Sequence, residues 1–239
     1  MKKKILLSWS SGKDSAWTLS ILRQRSDIEI AGLLTIINTQ FQRVAMHGTR
    51  RALLKLQAEA AGLPLWEVPL PWPCSNERYE QAMSAACTAA IDEGISGIAF
   101  GDLFLEDVRR YREDRLRGSG LEPIFPVWGS NTQKLVAEML DAGLHARIVC
   151  LDPRKLPADV AGCDLDRDLL RRLPEGVDPC GENGEFHTFA YAGPMFSSPI
   201  AIESGETVTR DGFVYSDVLP IGYPAQAPEL SINLPWASG

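Results

Sequence analysis

The chain begins with a short, unbroken apolar run, Lys4-Ile5-Leu6-Leu7-Ser8-Trp9. Such a run predicts a strand buried on both faces, as in a parallel sheet. From Lys13 to Arg25 the spacing becomes helical, with Ala16, Leu19, Ser20 and Leu22 on one side and Arg23 and Arg25 at the end. The alternation then repeats. Ile28 to Ile37 predicts a second strand, rich in β-branched residues, and His47 to Ala61 a helix stopped by Gly62. Leu63 to Leu70 reads as a strand, Asn76 to Glu93 as an Ala-rich helix and Ile98 to Leu103 as a strand. Glu106 to Arg117 reads as a charged helix and Pro123 to Trp128 as a fifth strand. Repeated βα units with short links predict an α/β fold, a doubly wound parallel sheet with helices on both faces.

The pattern changes after residue 128. Thr132 to Ala142 predicts a helix with Asn131 as its N-cap, Ala146 to Leu151 a strand, and Asp166 to Leu173 a short helix. A Gly-, Pro- and Glu-rich loop follows. Pro199 to Ile202 and Thr207 to Asp217 then read as antiparallel strands joined around Ser204-Gly205. The expected division is 1–128, a smaller α+β domain at 129–222, and a Pro-containing tail at 223–239 with Pro224, Pro228 and Pro235.

Composition narrows the classes. Hydrophobic residues at 45% and charged residues at 23% are ordinary globular values, which excludes disorder and collagen-like repeats. The net charge of −7 argues against nucleic acid and anionic membranes as partners. The charge is uneven: residues 1–128 hold 16 basic and 15 acidic side chains, and residues 129–239 hold 8 and 16. Two parts with different ligands are expected from that asymmetry. No apolar run approaches the ~18 residues a membrane helix needs. Five cysteines without a Cys-x-x-Cys pair predict no zinc site and no disulfide framework, and so a reducing cytoplasm.

Two segments carry chemistry. Ser10-Ser11-Gly12-Lys13-Asp14-Ser15 lies between the first strand and the first helix. A small-residue turn opening a helix points backbone N–H groups and the positive end of the helix dipole at one spot, where anions bind. Lys13 adds a point charge, Ser10 and Ser15 add hydroxyl donors, and Gly12 permits close approach. It is not a Walker A loop, because Leu7 stands where that motif needs Gly and Asp14 where it needs Ser or Thr. Asp14 reads either as an early-helix acid or as a magnesium ligand. The second segment is Cys180-Gly181-Glu182-Asn183-Gly184-Glu185-Phe186-His187-Thr188-Phe189. Glu182 and Glu185 could bind a cation or an amine, or act as general base, and His187 could shuttle a proton. The same residues also make an ordinary turn.

The first loop resembles the pyrophosphate loop Ser-Gly-Gly-Lys-Asp-Ser of ATP pyrophosphatases, with Ser11 in place of the first glycine. That substitution is mild if Ser11 keeps φ below zero. Together with Cys-Gly-Glu-x-Gly-Glu-Phe-His-Thr near residue 180, the chain resembles the diphthine–ammonia ligase-type ATP pyrophosphatases over about residues 4–220. Met46-His47, Gln57-Ala58, Gly101-Asp102 and Pro126-Val127-Trp128 also fit.

The resemblance implies a nucleotide α-hydrolase domain and a family-specific second domain, with the site between them. It implies an ATP-dependent, AMP-forming amide ligase that adenylates a carboxylate, the acceptor in the eponymous members being diphthine on elongation factor 2. ATP would then meet Ser8, Trp9, Ser10, Ser11, Gly12, Lys13, Asp14, Ser15, His47, Gly101 and Asp102. The acceptor and ammonium would meet Gly181, Glu182, Asn183, Gly184, Glu185 and His187, with Lys13, Asp14, Glu182 and Glu185 catalytic and Asp14 holding Mg. The other readings are a small-molecule carboxylate or tRNA as acceptor, or an ATP-binding regulator without turnover. The assembly stays open, with a homodimer among the partners considered. Three further expectations concern side chains. Phe186, Phe189 and Tyr191 beside the glutamates are a candidate pocket for a quaternary ammonium. Arg109 and Arg112 are either self-paired surface charges or phosphate ligands. Trp9, Trp66 and Trp128 are expected in the core.

Overall fold

The computed structural model describes residues 2–44 and 47–222; the tail expected at 223–239 and Met46 lie outside them. The first sheet contains β1 (Lys3–Ser8), β2 (Ile28–Asn38), β3 (Arg43–Val44), β4 (Leu65–Leu70), β5 (Gly97–Ala99) and β6 (Glu122–Ile124). Its parallel strands run in the order β4-β2-β1-β5-β6, and β3 adds to the end of β2 in antiparallel sense. The chain winds outward from β1 in one direction and then from β5 in the other. Their carboxyl ends are therefore the switch point where ligands bind in such sheets.

Residue parity along β1 explains the two-sided cover. Ile5 and Leu7 enter one apolar cluster with α1 (Lys13–Arg23) and α2 (Arg51–Ala61). Leu6 enters the other, with α3 (Asn76–Asp92) and the end of α4 (Glu106–Leu116). Gly62 closes α2 in the left-handed conformation at φ 63°, as its sequence position implied. Helix α2 starts at Arg51, so His47 lies in the turn before it and not within it.

The second sheet is antiparallel, with order β8-β7-β10-β9, built from β7 (His145–Leu151), β8 (Phe186–Ala192), β9 (Ile202–Arg210) and β10 (Phe213–Pro220). Helices α5 (Thr132–Asp141) and α6 (Arg167–Arg172) complete it, and Asn131 Oδ1 caps α5 by accepting from the Lys134 amide at 3.0 Å. One expectation is corrected here. Ser204 and Gly205 lie inside β9, and the hairpin turns at Asp211-Gly212, at φ 49° and 81°. Gly205 serves close approach instead: a Cβ there would sit 2.9 Å from Asp217 Cβ. The first apolar cluster is continuous from Ile5 to Val218, so both sheets share one core.

Candidate active site

The turn from Ser10 to Lys13 leaves β1 at the switch point and lies along the outer edge of β8. Ser11 O accepts from the Ala190 amide at 2.9 Å, and Thr188 Oγ1 accepts from the Lys13 amide at 3.0 Å. Gln57 on α2 joins the pieces: its Nε2 donates to Ser11 O at 2.9 Å and to Ala190 O at 2.6 Å, and its Oε1 accepts from the Trp9 indole at 2.9 Å. Thr188 and Gln57 were not among the candidate site residues. The signal for Thr188 was its place two residues from Phe186 and Ala190 on one strand, which puts all three in step along the edge. Trp9 has its side chain in the core, 2% exposed, so the loop takes support from that ring and cannot present it to a ligand.

Ser11 is fully buried at φ 72°. The condition for a mild glycine-to-serine change is thus not met. The left-handed backbone that glycine takes freely costs a side-chain-bearing residue about 1–2 kcal/mol. A partial offset is visible, since Ser11 Oγ hydrogen-bonds Thr49 Oγ1 at 2.7 Å. Gly12 caps α1 with extended backbone and has His47 over it. A Cβ on Gly12 would lie 2.9 Å from His47 Cε1 and 3.1 Å from Thr188 O. Ser10 and Ser15 hydroxyls meet at 3.1 Å, and Ser8 ends β1 half-buried below them. With the Lys13 amide taken by Thr188, the Ser15 amide is a first-turn donor without a partner among the described residues.

Lys13 is 2% exposed. Its Nζ donates to Asp14 Oδ2 at 2.8 Å and to the carbonyl of Cys180, and sits 5.6 Å from the Phe186 ring centre. Burial pulls its pKa down, but Asp14, Cys180 and Glu182 outweigh that and hold it above the usual lysine value. Asp14 is pushed up by burial against the pull of Lys13, and Asp14 Oδ1 is buried without a partner. Across the switch point, Gly101 packs so closely on α1 that a Cβ would lie 3.1 Å from Asp14 O. This brings Asp102 beside Asp14; burial raises Asp102 against the opposing charge of Arg112.

The second motif splits into two jobs. Gly181 turns at φ 72°, where a Cβ would collide with Phe186 O at 2.7 Å. Glu182 then reaches the turn after β5, its Oε1 accepting from the Leu103 amide at 2.7 Å. Burial pushes Glu182 up to about 7, against that amide, with Asp14 and Asp102 reinforcing the rise. Glu185 is instead 2% exposed, and its Oε1 accepts from the Asp178 amide and Asn183 Nδ2, both at 3.2 Å. Asn183 O accepts from Lys155 at 2.7 Å on the surface, and Gly184 turns without a neighbour near its Cα. Glu185 and Asn183 shape the loop that presents Glu182.

His47 and His187 stack at 4.6 Å, and His47 Nδ1 meets Thr188 O at 3.2 Å. Burial lowers them to about 4 and about 3, so both rings are neutral at pH 7 and poor carriers of a proton there. The expected quaternary-ammonium pocket does not form. Phe186 and Phe189 are core side chains and the cation over Phe186 is Lys13, while Tyr191 packs on His145 and Arg147. Burial pushes the Cys180 thiol up to about 12, and its Sγ points to Thr132 O, which is no setting for a nucleophile. Trp128 is half-buried and carries Arg109 on its face, contrary to a simple core role.

Residues 1–123 match the family described as diphthamide synthase N-terminal domain, and residues 131–217 the diphthamide synthase C-terminal domain. The diphthine–ammonia ligases of Bos taurus and Homo sapiens are each 26% identical over 243 residues, covering 87% of this chain and 86% of theirs. That of Danio rerio is 28% identical over 187 residues, covering 70% and 71%. No helix among the described residues is long and apolar enough to cross a membrane. With both domain families matched in order, the chain belongs to the diphthamide synthase family.

Proposed function

We propose that the protein is an ATP-dependent, AMP-forming carboxylate–ammonia ligase, with diphthine on elongation factor 2 as acceptor. Residues 1–128 would bind ATP and 129–222 the acceptor. The observation that carries the reading is the meeting of two motifs some 170 residues apart. Lys13 touches Thr188 through its amide and Cys180 through its ammonium, and Glu182, at about 7, reaches the turn after β5.

A carboxylate resists ammonia because its oxygen leaves badly. In the first step an acceptor oxygen attacks the α-phosphorus of ATP, the bond to the bridging oxygen breaks, and pyrophosphate departs. Negative charge grows on that leaving group, where the Ser15 amide, the Ser10 and Ser15 hydroxyls and Lys13 can stabilise it. Lys13 must first turn from Cys180 O toward the phosphates. In the second step ammonia attacks the acyl carbon of the mixed anhydride, the C–O bond breaks and AMP leaves. Glu182 suits the base, because a carboxylate poised near 7 takes a proton at neutral pH more readily than an ordinary one.

Magnesium fits the residues present. Asp14 Oδ1 and Asp102 Oδ2 are buried oxygens without hydrogen bonds, and hard oxygen donors are what the ion selects. Among the described residues no group of three His, Cys, Asp or Glu side chains would hold a metal alone, so phosphate oxygens must supply the rest. When bound, the ion would neutralise phosphate charge.

The test is ATP labelled at the α-phosphate. Labelled AMP should form only with ammonium and diphthine-bearing elongation factor 2 together. Absence of AMP in every mixture would refute the ligase reading in favour of a nucleotide-binding regulator. AMP with a small carboxylate or tRNA alone would move the acceptor class.

A further inference from the structure

Arg109 and Arg112 stand three residues apart on α4, on one face of the helix. Beneath them are the aromatic side chains that follow β5 and β6. The Arg109 guanidinium lies 4.8 Å from the Phe125 ring centre and 4.9 Å from that of Trp128, and Arg112 lies 5.1 Å from Phe100. The rings brace one another: Phe100 and Phe125 stack at 5.7 Å, and Phe125 meets Trp128 edge-on at 6.0 Å. A guanidinium laid flat on an aromatic face keeps its in-plane N–H edge for an acceptor and has little freedom left to lose on binding one.

Each guanidinium has a carboxylate at its Nε end. Arg109 Nε donates to Glu113 at 2.8 Å. Arg112 Nε forms an ion pair with Asp102 Oδ2 at 3.5 Å. The Nη groups of both have no hydrogen-bond partner among the described residues, and both side chains are about one-third exposed. Asp102 anchors the position, because it neighbours Asp14 and lies on the turn whose Leu103 amide holds Glu182. Arg112 thus reaches the Asp102 turn, beside the groups proposed to react, and Arg109 stands one turn before it on the same helix.

We propose that Arg109 and Arg112 form an oxyanion subsite beside the Asp102 turn, held in place by Phe100, Phe125 and Trp128. Its ligand is a nucleotide phosphate or the acceptor carboxylate, bound edge-on. The position beside the reacting groups rests on the ligase reading, whereas anion binding itself does not.

The test compares wild type with Arg109→Gln, Arg112→Gln, the double variant and both Arg→Lys variants, each checked for unchanged thermal unfolding. Isothermal titration reads the affinity for ATP, inorganic pyrophosphate and glutarate, and the ligase assay reads the apparent KM for elongation factor 2. Losing one charged hydrogen-bonding partner corresponds to about tenfold in affinity or more. Lysine should fail to restore it, lacking the planar fork. Tenfold losses for ATP and pyrophosphate support the phosphate source. Losses for glutarate or in the acceptor KM, with ATP binding unchanged, support the carboxylate. Values within twofold of wild type for all ligands overturn the subsite. Turnover absent in wild type sinks the ligase reading alone, and the three titrations still decide the subsite.

Discussion

Replacing Ser11 by alanine and by glycine separates a strained backbone from the hydrogen bond beside it. Both variants lose the 2.7 Å bond from Ser11 Oγ to Thr49 Oγ1, with Thr49 itself 5% exposed. A lost neutral hydrogen bond inside the protein costs about 1–2 kcal/mol, because the orphaned partner stays dry. Alanine keeps the left-handed backbone at φ 72°. Ser11→Ala should therefore be less stable than wild type by about 1–2 kcal/mol. Glycine removes a backbone cost of about 1–2 kcal/mol. It also adds unfolded-chain entropy worth about 0.4–1 kcal/mol. Ser11→Gly should lie between the two, about 0.5–1 kcal/mol above Ser11→Ala. Urea unfolding at equal slope reads the difference in midpoint directly. If glycine is as destabilised as alanine, or more, the strain attributed to Ser11 is absent and the serine is simply a well-fitting residue.

Two other substitutions and one labelling experiment follow from the site. Glu182→Gln should abolish the rise in ligase rate as pH passes through about 7. Because the folded protein holds that proton above the ordinary glutamate range, wild type loses stability between about 4.5 and 7, and the variant should melt higher than wild type at pH 8 but not at pH 4. A variant melting curve parallel to wild type across that range would contradict the raised value. Gln57→Leu takes one of two donors from Ser11 O, which keeps the Ala190 amide, and strips a partner from Ala190 O and the Trp9 indole, and should cost about 2–3 kcal/mol by urea unfolding, against the ~1 typical of a substitution. A cost below 1 would show that the three groups are satisfied elsewhere. In the native protein iodoacetamide at pH 8 should label half-buried Cys74 well before Cys180, whose thiol stays protonated to about 12; equal labelling by mass spectrometry would count against that burial.

Local patterns made much of the fold legible. The apolar run of β1 and the Ser-Gly-Lys turn after it sit together, and strand and helix signals alternate cleanly through β6. What stayed hidden depends on contacts across the chain. Ser204-Gly205 has turn composition, but that glycine is required by Asp217 on the neighbouring strand, which no local window contains. Strand β8 was masked by the Gly-rich run before it, so Thr188 was counted as part of a loop although its hydroxyl holds the Lys13 amide. Glu182 and Glu185 were equivalent in sequence. They became different only through burial, one meeting an amide of the turn after β5 and the other sealed beneath its own turn.

The docking of the Ser10–Lys13 turn on the edge of β8 also limits how the protein can be rebuilt. Two family domains meet in one chain, yet the Ser10–Lys13 turn is held by residues of both. Cut before β7, the first part would take the Ala190 amide from Ser11 O, which keeps Gln57, leave the Lys13 amide without its partner and uncover the apolar face that both sheets share. Chimeras that exchange the second part among relatives therefore need a matched pair, the turn together with the strand that receives it. A second part grafted without its own turn would leave that turn misaligned on the strand that should receive it.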